Sequence, residues 1–334
     1  MSTHAVPQDL VDLHIHVGGA VAPHILYSIA HRQGMKLPVK TYWEFVDRIT
    51  SNPEKVKSLE EYLAIMHETE KIQSSPMAME TAIYEIIGKE YRSSRVDLIE
   101  LRFNPMKRNL GGERDLDHII LAALVGMDRA CLEYNVKSGL IFCLAREFDP
   151  RLNEIIVDKA IKYRARGVIG IDLAGPESRK NELSEEGAKR YASMYARARD
   201  AGLHTTIHTG ETTDTNGEGV IAAIKHLKPD RIGHGIRAAY SEAAMDAIGA
   251  AGVVLEVCPT SNLHTRAVRD LDELTHILGT FTDKKVPFTI NTDGPYLLKT
   301  NMRQEVDLLL DNKVLSAEQI TKCMTLARKA TFIE

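Results

Sequence analysis

The chain has 334 residues, 44% hydrophobic, 26% charged and 6% aromatic, with a formal net charge of -4. This balance suits a globular protein with a sizeable core and sets aside disordered, collagen-like and membrane-spanning classes. With no long blocks of one sign, the charge also argues against nucleic acid or a membrane surface as the partner and points to a small molecule.

Short β-branched runs alternate with helical patterns along the chain, which predicts a parallel sheet with crossover helices. The predicted strands cover 12–17, 96–103, 138–144, 168–173, 203–208, 231–235, 253–257 and 287–291. Between them, Ala22, Ile25, Leu26 and Ile29 repeat at helical spacing behind Pro23, and Ser58-x-x-Glu61 reads as a capping box. Further helices are predicted over 184–201, closed by Gly202, over 241–250, closed by Gly252, and from Ser316-x-x-Gln319 onward. Eight strands followed by helices predict an α/β fold, a (β/α)8 TIM barrel forming one domain over 1–334. The long segment between the first two strands, about 35–90 and containing Trp43, is predicted to be an added helical lid.

Cys131, Cys143, Cys258 and Cys323 lie far apart without a CxxC pair, and the start "MSTHAVPQD" is polar, so the expectation is reduced thiols in a cytoplasmic protein. The longest apolar stretch, around 119–127, is too short for a bilayer.

A barrel places catalytic side chains at the C-terminal ends of its strands. "VDLHIHVGGA" puts His14 and His16 two residues apart in the first strand, hence on one face. Alone, the pair reads equally well as metal ligands or as polar core residues. The fifth strand ends at His208 in "IHTGE", with Glu211 in the loop beyond; the sixth ends in "GHG" at His234; the eighth ends in "NTDGP" at Asp293. His14, His16, His208 and Asp293 thus form an N3O set suited to zinc, with a position left open for water. His234 is the candidate to orient the attacking hydroxide, and Glu211 suits a general acid. His204, four residues before His208, is expected deep in the barrel core.

Taken in order, "DLHIHVGGA", "IELRFNP", "IDLAGPE", "HTGE", "GHG", "LEVCPTSN" and "NTDGP" resemble the motifs of the adenosine deaminase family, within the metal-dependent amidohydrolase superfamily. The resemblance runs from residue 12 to residue 295. It implies one zinc ion per chain on His14, His16, His208 and Asp293, and water attack at C6 of a 6-aminopurine nucleoside. It further implies that Glu211 protonates ring N1, that His234 positions the nucleophile, and that ammonia leaves. His16, Gly18, Gly175 and Gly294 fall at positions facing the substrate, Gly175 through its backbone.

Two positions depart from the family pattern. Gly18 stands where an Asp usually meets the ribose 5′-hydroxyl, and Gly294 where a second Asp usually meets the purine N7. Loss of both carboxylates would free charge and volume, which opens an alternative substrate: a 5′-modified or phosphorylated adenosine, an N6-substituted adenine nucleotide, or free adenine. Lys107, Arg108 and Lys299 read first as solvated loop-edge charges, with contact to a phosphate or carboxylate as the alternative. Glu100 and Arg102 read as a buried structural pair. Pro259, Ser261 and Asn262 read as shaping a loop, and Cys258 as a small buried residue. His264 belongs either to the surface or to the pocket rim.

Other readings are weaker. A two-metal hydrolase of esters or cyclic amides often uses a bridging lysine after the fourth strand, and "IDLAGPE" has none. A non-enzymatic nucleoside binder has no use for both Glu211 and His234. The cytidine-deaminase type of site requires HxE and PCxxC, which are missing from the sequence.

Overall fold

The β-branched runs become parallel strands because both faces of each strand are covered, one by crossover helices and the other by the barrel interior. The computed structural model describes residues 6–52, 54–177 and 184–334, and nine strands lie among them. They are β1 (Leu10–His16), β2 (Val96–Phe103), β3 (Lys137–Ala145), β4 (Val168–Ala174), β5 (His204–Thr205), β6 (His208–Thr209), β7 (Arg231–His234), β8 (Val254–Val257) and β9 (Phe288–Ile290). One parallel sheet runs β1 to β5 and another β6 to β9.

The fifth predicted strand is divided into β5 and β6. Thr206 N donates to Ile171 O of β4 at 2.9 Å, whereas Gly233 N of β7 donates to Ile207 O at 2.8 Å. The segment thus exchanges one hydrogen-bonded neighbour for the next as it passes between the sheets. At the other seam, Asp293 N donates to His14 O (2.8 Å) and His16 N donates to Asp293 O (2.7 Å). These seams join the sheets into the predicted (β/α)8 barrel, with β5 and β6 together as its fifth wall.

Helix starts follow their caps: Ser58 Oγ accepts from Glu61 N at 3.3 Å, and Ser316 and Gln319 form both halves of a capping box. Between β1 and β2 the chain forms helices Pro23–Arg32, Tyr42–Ile49, Leu59–Ile72 and Pro76–Ser94. Helix Leu59–Ile72 buries Leu59, Tyr62 and Met66, which pack with Val56 and with Leu297 and Leu298 beyond β9. Thr69 Oγ1 donates to Gly18 O at 2.6 Å, fixing this helix against the end of β1. Trp43 takes no part in that packing and is 75% exposed.

Two expectations for the barrel interior need correction. Glu100 and Arg102 are both buried but do not pair with each other. Arg231 reaches across the barrel to Glu100 and donates through Nε to Glu256 at 2.7 Å, while Arg102 donates to Glu256 (2.8 Å) and Asp172 (3.2 Å). Facing residues on different strands meet there, and the alternation along a single strand does not reveal them. His204 is not core: it is exposed, lies 3.6 Å from Asp230, and stacks on Phe332 with ring centroids 4.6 Å apart. It opens the strand at the N-terminal end, where the barrel meets water.

Glu305, in helix Met302–Asp311, is fully buried and accepts from Thr260 N (3.1 Å) and Thr300 Oγ1 (2.7 Å). Burial pushes its carboxyl from 4.5 up to about 7, against the lowering effect of those hydrogen bonds. The folded state therefore holds the proton more tightly than the unfolded chain. The stability this provides is complete below pH 4.5 and is lost as pH rises through about 7, a change of roughly 3 kcal/mol. Glu305→Gln keeps the shape without the charge, so its Tm should exceed that of the parent at pH 8 and differ little at pH 4.5. Equal shifts at both pH values would refute the buried-proton account.

Candidate active site

The C-terminal ends of the strands gather every catalytic and ligand residue picked out in the sequence. His14 and His16 come from β1, His208 from β6, His234 from the end of β7, and Asp293 from just beyond β9. His14 and His208 have ring centroids 4.7 Å apart, and the candidate ligand nitrogens of His14, His16 and His208 all lie within 4.8 Å of one another. His16 Nε2 is 3.0 Å from His208 Nε2 and 3.7 Å from Asp293 Oδ1.

Neighbouring acceptors fix which nitrogen of each ring is free. His14 Nδ1 meets Glu256 Oε2 at 2.7 Å and His208 Nδ1 meets Asp172 Oδ2 at 3.0 Å. Carboxylates only accept, so both rings carry the proton on Nδ1 and present a lone pair on Nε2 toward the cluster. His14 Nε2 is buried with no hydrogen-bond partner. Ser261 Oγ donates to Asp293 Oδ2 at 2.5 Å, leaving Oδ1 to face the histidines. Burial pushes His14 and His16 well below the ordinary imidazole range, and nearby positive groups reinforce the shift. Both rings are therefore neutral, the form that can bind a cation.

Tight packing constrains this arrangement. A Cβ on Gly233 would lie 3.0 Å from His14 Cε1 and 3.3 Å from His208 Cγ, so a larger residue would displace both rings. His234 and Asp293 adopt left-handed backbone angles, with φ of 60° and 64°. Non-glycine residues uncommonly adopt that conformation, and here it occurs at two strand ends within the candidate site.

Glu211 is buried, with Oε2 3.7 Å from His234 Nε2. Burial first, then Glu177 and Asp293, push its carboxyl well above the usual range. That shift favours the neutral, proton-bearing form of the acid. Glu177 is held by Thr212 N (2.8 Å) and Thr215 Oγ1 (2.8 Å), which keep its charge beside the Glu211 loop. Asn262 Nδ2 donates to His234 Nδ1 at 2.9 Å, placing the His234 proton on Nε2.

A cavity of about 370 Å³ opens beside His16 and is lined by Gly18, Glu70, Asn104 and Gly175, among others. Gly175 has φ +107°, and a Cβ there would lie 2.5 Å from Glu147 Oε2; its carbonyl accepts from Arg146 Nη1 at 2.9 Å. The two unusual glycines do not leave open space. A Cβ on Gly294 would collide with the Tyr62 hydroxyl, and one on Gly18 would lie 3.0 Å from Met66 Cγ and 3.2 Å from Glu70 Cγ. The inserted helix thus refills the volume that the missing side chains would have occupied, contrary to the expectation of freed charge and volume.

The basic residues also differ from their reading as solvated charges. Lys299 is exposed, but Arg108 is fully buried against Glu70 (3.3 Å), and Lys107 lines the cavity with Nζ 2.7 Å from Glu147 Oε1. His264 is half-buried, with Nδ1 2.9 Å from Ser51 Oγ. The four cysteines are free thiols, with Cys143, Cys258 and Cys323 buried. Among the described residues no helix is long and apolar enough to cross a membrane.

Sequence reasoning missed Asp172, Glu256 and Tyr62 and gave Ser261 and Asn262 only a loop-shaping role. Asp172 and Glu256 carried one signal, a charged residue inside an otherwise apolar strand. Tyr62 carried none beyond its place on an amphipathic helix.

The family model for adenosine deaminase matches residues 9–334. The chain is 30% identical over 318 residues to an adenosine deaminase of Shewanella woodyi, covering 95% of this chain and 92% of that one. It is also 32% identical over 310 residues to an aminodeoxyfutalosine deaminase of Acidothermus cellulolyticus, covering 91% and 82%. A solved N6-mAMP deaminase of Arabidopsis shares the fold, with a TM-score of 0.82 at 23% identity and coverage of 99% and 95%. With a family model over nearly its whole length and a curated relative at this identity and coverage, the chain belongs to the adenosine deaminase family.

Proposed function

We propose that this site deaminates a 6-aminopurine nucleoside, converting an adenosine-type substrate and water to the inosine-type product and ammonia, with one zinc ion held by His14, His16, His208 and Asp293. The chain is an aminohydrolase of adenine-type substrates. The observation that carries the zinc assignment is the unpartnered, buried Nε2 of His14, directed at two other histidines. His16 Nε2 and His208 Nε2 lie 3.0 Å apart, close enough for both to hold one ion. Burial raises the Asp293 carboxyl, and a divalent cation would offset that cost.

Zinc bound there supplies Lewis acidity and makes a water-derived nucleophile available at neutral pH. Glu211, protonated, donates to ring N1, which draws electron density from C6 and prepares it for attack. His234 carries its proton on Nε2 and donates a hydrogen bond that orients the nucleophile, held in register by Asn262. After attack, Glu211 is an anion that can collect a proton from the nucleophile and pass it to the departing amino group. Gly175 brings the backbone close to the purine, where a side chain would block it.

The relatives differ in named substrate, so the parent compound is tested by formation of the 6-oxo product across adenosine, aminodeoxyfutalosine, N6-methyl-AMP and adenine, with ammonia released from all but N6-methyl-AMP, which gives methylamine. The expected result is highest kcat/KM for a nucleoside without a phosphate. If none of the four releases an amine, the proposed function is wrong.

A further inference from the structure

We infer that Glu70, on the inserted helix Leu59–Ile72, is a substrate-contacting specificity residue whose carboxylate accepts a hydrogen bond from a sugar hydroxyl of the nucleoside, with Arg108 as its positioning residue. The inference rests on the deamination reading above and identifies the sugar as unphosphorylated.

Glu70 lines the same cavity as His16, Gly18 and Gly175. A purine with C6 at the histidines must extend its sugar into that cavity, because the barrel floor beneath the histidines is filled by the Arg102, Glu256 and Arg231 network. Glu70 Cγ packs 3.2 Å from where a Cβ of residue 18 would be, so the carboxylate that β1 lacks is delivered by the helix above it.

Its two oxygens are in different situations. Oε1 lies 3.3 Å from Arg108 Nη2, whereas Oε2 has His67 Nδ1 at 3.9 Å, beyond hydrogen-bond reach. A carboxylate has about four acceptor sites, so Glu70 keeps capacity for a donor from the ligand. Burial pushes the Glu70 carboxyl up, but Arg108, with smaller help from His67 and Lys107, outweighs it and the net shift is downward. Arg108 is itself fully buried, and its guanidinium has no hydrogen-bond partner besides this ion pair. It stands behind Glu70, while Glu70 retains some exposure to the cavity.

The surrounding charges decide between hydroxyl and phosphate. Among the described residues, each arginine and lysine lining the cavity already has a carboxylate partner: Arg102 has Glu256, Lys107 has Glu147, and Arg108 has Glu70. Glu60 adds a further carboxyl to the lining. Among the described residues a phosphate would meet no uncommitted arginine or lysine, and it would face Glu70 at close range. A neutral hydroxyl would instead find an ionised acceptor.

The test compares kcat/KM for adenosine, 5′-deoxyadenosine, 3′-deoxyadenosine and AMP in the parent enzyme and in Glu70→Gln. The parent should favour adenosine over one deoxy analogue by about 10–100-fold, the worth of a hydrogen bond to a charged group, and AMP should be poorer still. In Glu70→Gln the loss should fall mainly on adenosine, so that this ratio collapses toward unity. An unchanged ratio in the variant overturns the proposal. Should Glu70→Gln fail to fold because Arg108 loses its partner, the parent panel still decides: AMP outrunning adenosine, or both deoxy analogues equalling it, overturns the proposal. Failure of the parent to deaminate any of these compounds, or any in the wider panel, would instead refute the deamination reading itself.

Discussion

Glu211→Gln should lower kcat by about 10²–10⁴ while leaving the bound metal in place. Gln keeps the volume and can still hydrogen-bond to ring N1, but it has no proton to transfer. Burial, Glu177 and Asp293 all favour the neutral, proton-bearing acid at this position. The sign is fixed by that upward shift: activity dependent on the acid is present below its pKa and declines as pH rises through it, and the variant should lose this alkaline limb. Steady-state kinetics across pH, with metal analysis on the same preparation, checks both parts. Full activity with metal bound would remove Glu211 from the acid role, and loss of the metal would make it structural.

His16→Ala should abolish stoichiometric zinc and, with it, measurable turnover. Among the candidate ligands His16 is the most informative to remove. His14 and His208 are each tied to a buried carboxylate, so truncating either would also remove one partner from the Glu256 and Asp172 network in the interior. Among the described residues, His16 Nε2 lies against His208 and Asp293, both members of the same cluster. Its loss therefore tests coordination with less damage to folding. Zinc retained at one per chain after dialysis would refute the ligand set; a large fall in Tm measured without metal would show that His16 is structural.

The sequence revealed what depends on local spacing. Two-residue alternation puts His14 and His16 on one face, and the strand-ending positions of His208, His234 and Asp293 follow from turn and glycine signals. Those features made the fold legible and brought the candidate site residues to one rim of the barrel. What it concealed depends on closure of the barrel. Asp172 on β4 and Glu256 on β8 reach His208 and His14 only because tilted strands bring distant segments together, and no periodicity encodes that register. The same holds for Arg231 meeting Glu100, 131 residues away. His204 was misplaced because alternation gives the face of a strand but not its depth below the rim.

Gly18 and Gly294 show a different limit. A glycine in place of a carboxylate suggests a larger pocket, and that inference treats the rest of the site as fixed. Met66 and Glu70 pack against the first position and Tyr62 against the second, all three from helix Leu59–Ile72. Helical spacing predicts that such residues are buried, but not which strand end they cover. The volume was reassigned within the chain.

Zinc-dependent hydrolysis at C6 is tested by incubating the zinc-replete protein with adenosine in heavy-oxygen water. The account predicts a 6-oxo product carrying one heavy oxygen, equimolar ammonia, loss of both after chelation, and their return when zinc is added back. Unchanged turnover in thoroughly chelated protein, or product oxygen that does not come from water, would contradict it.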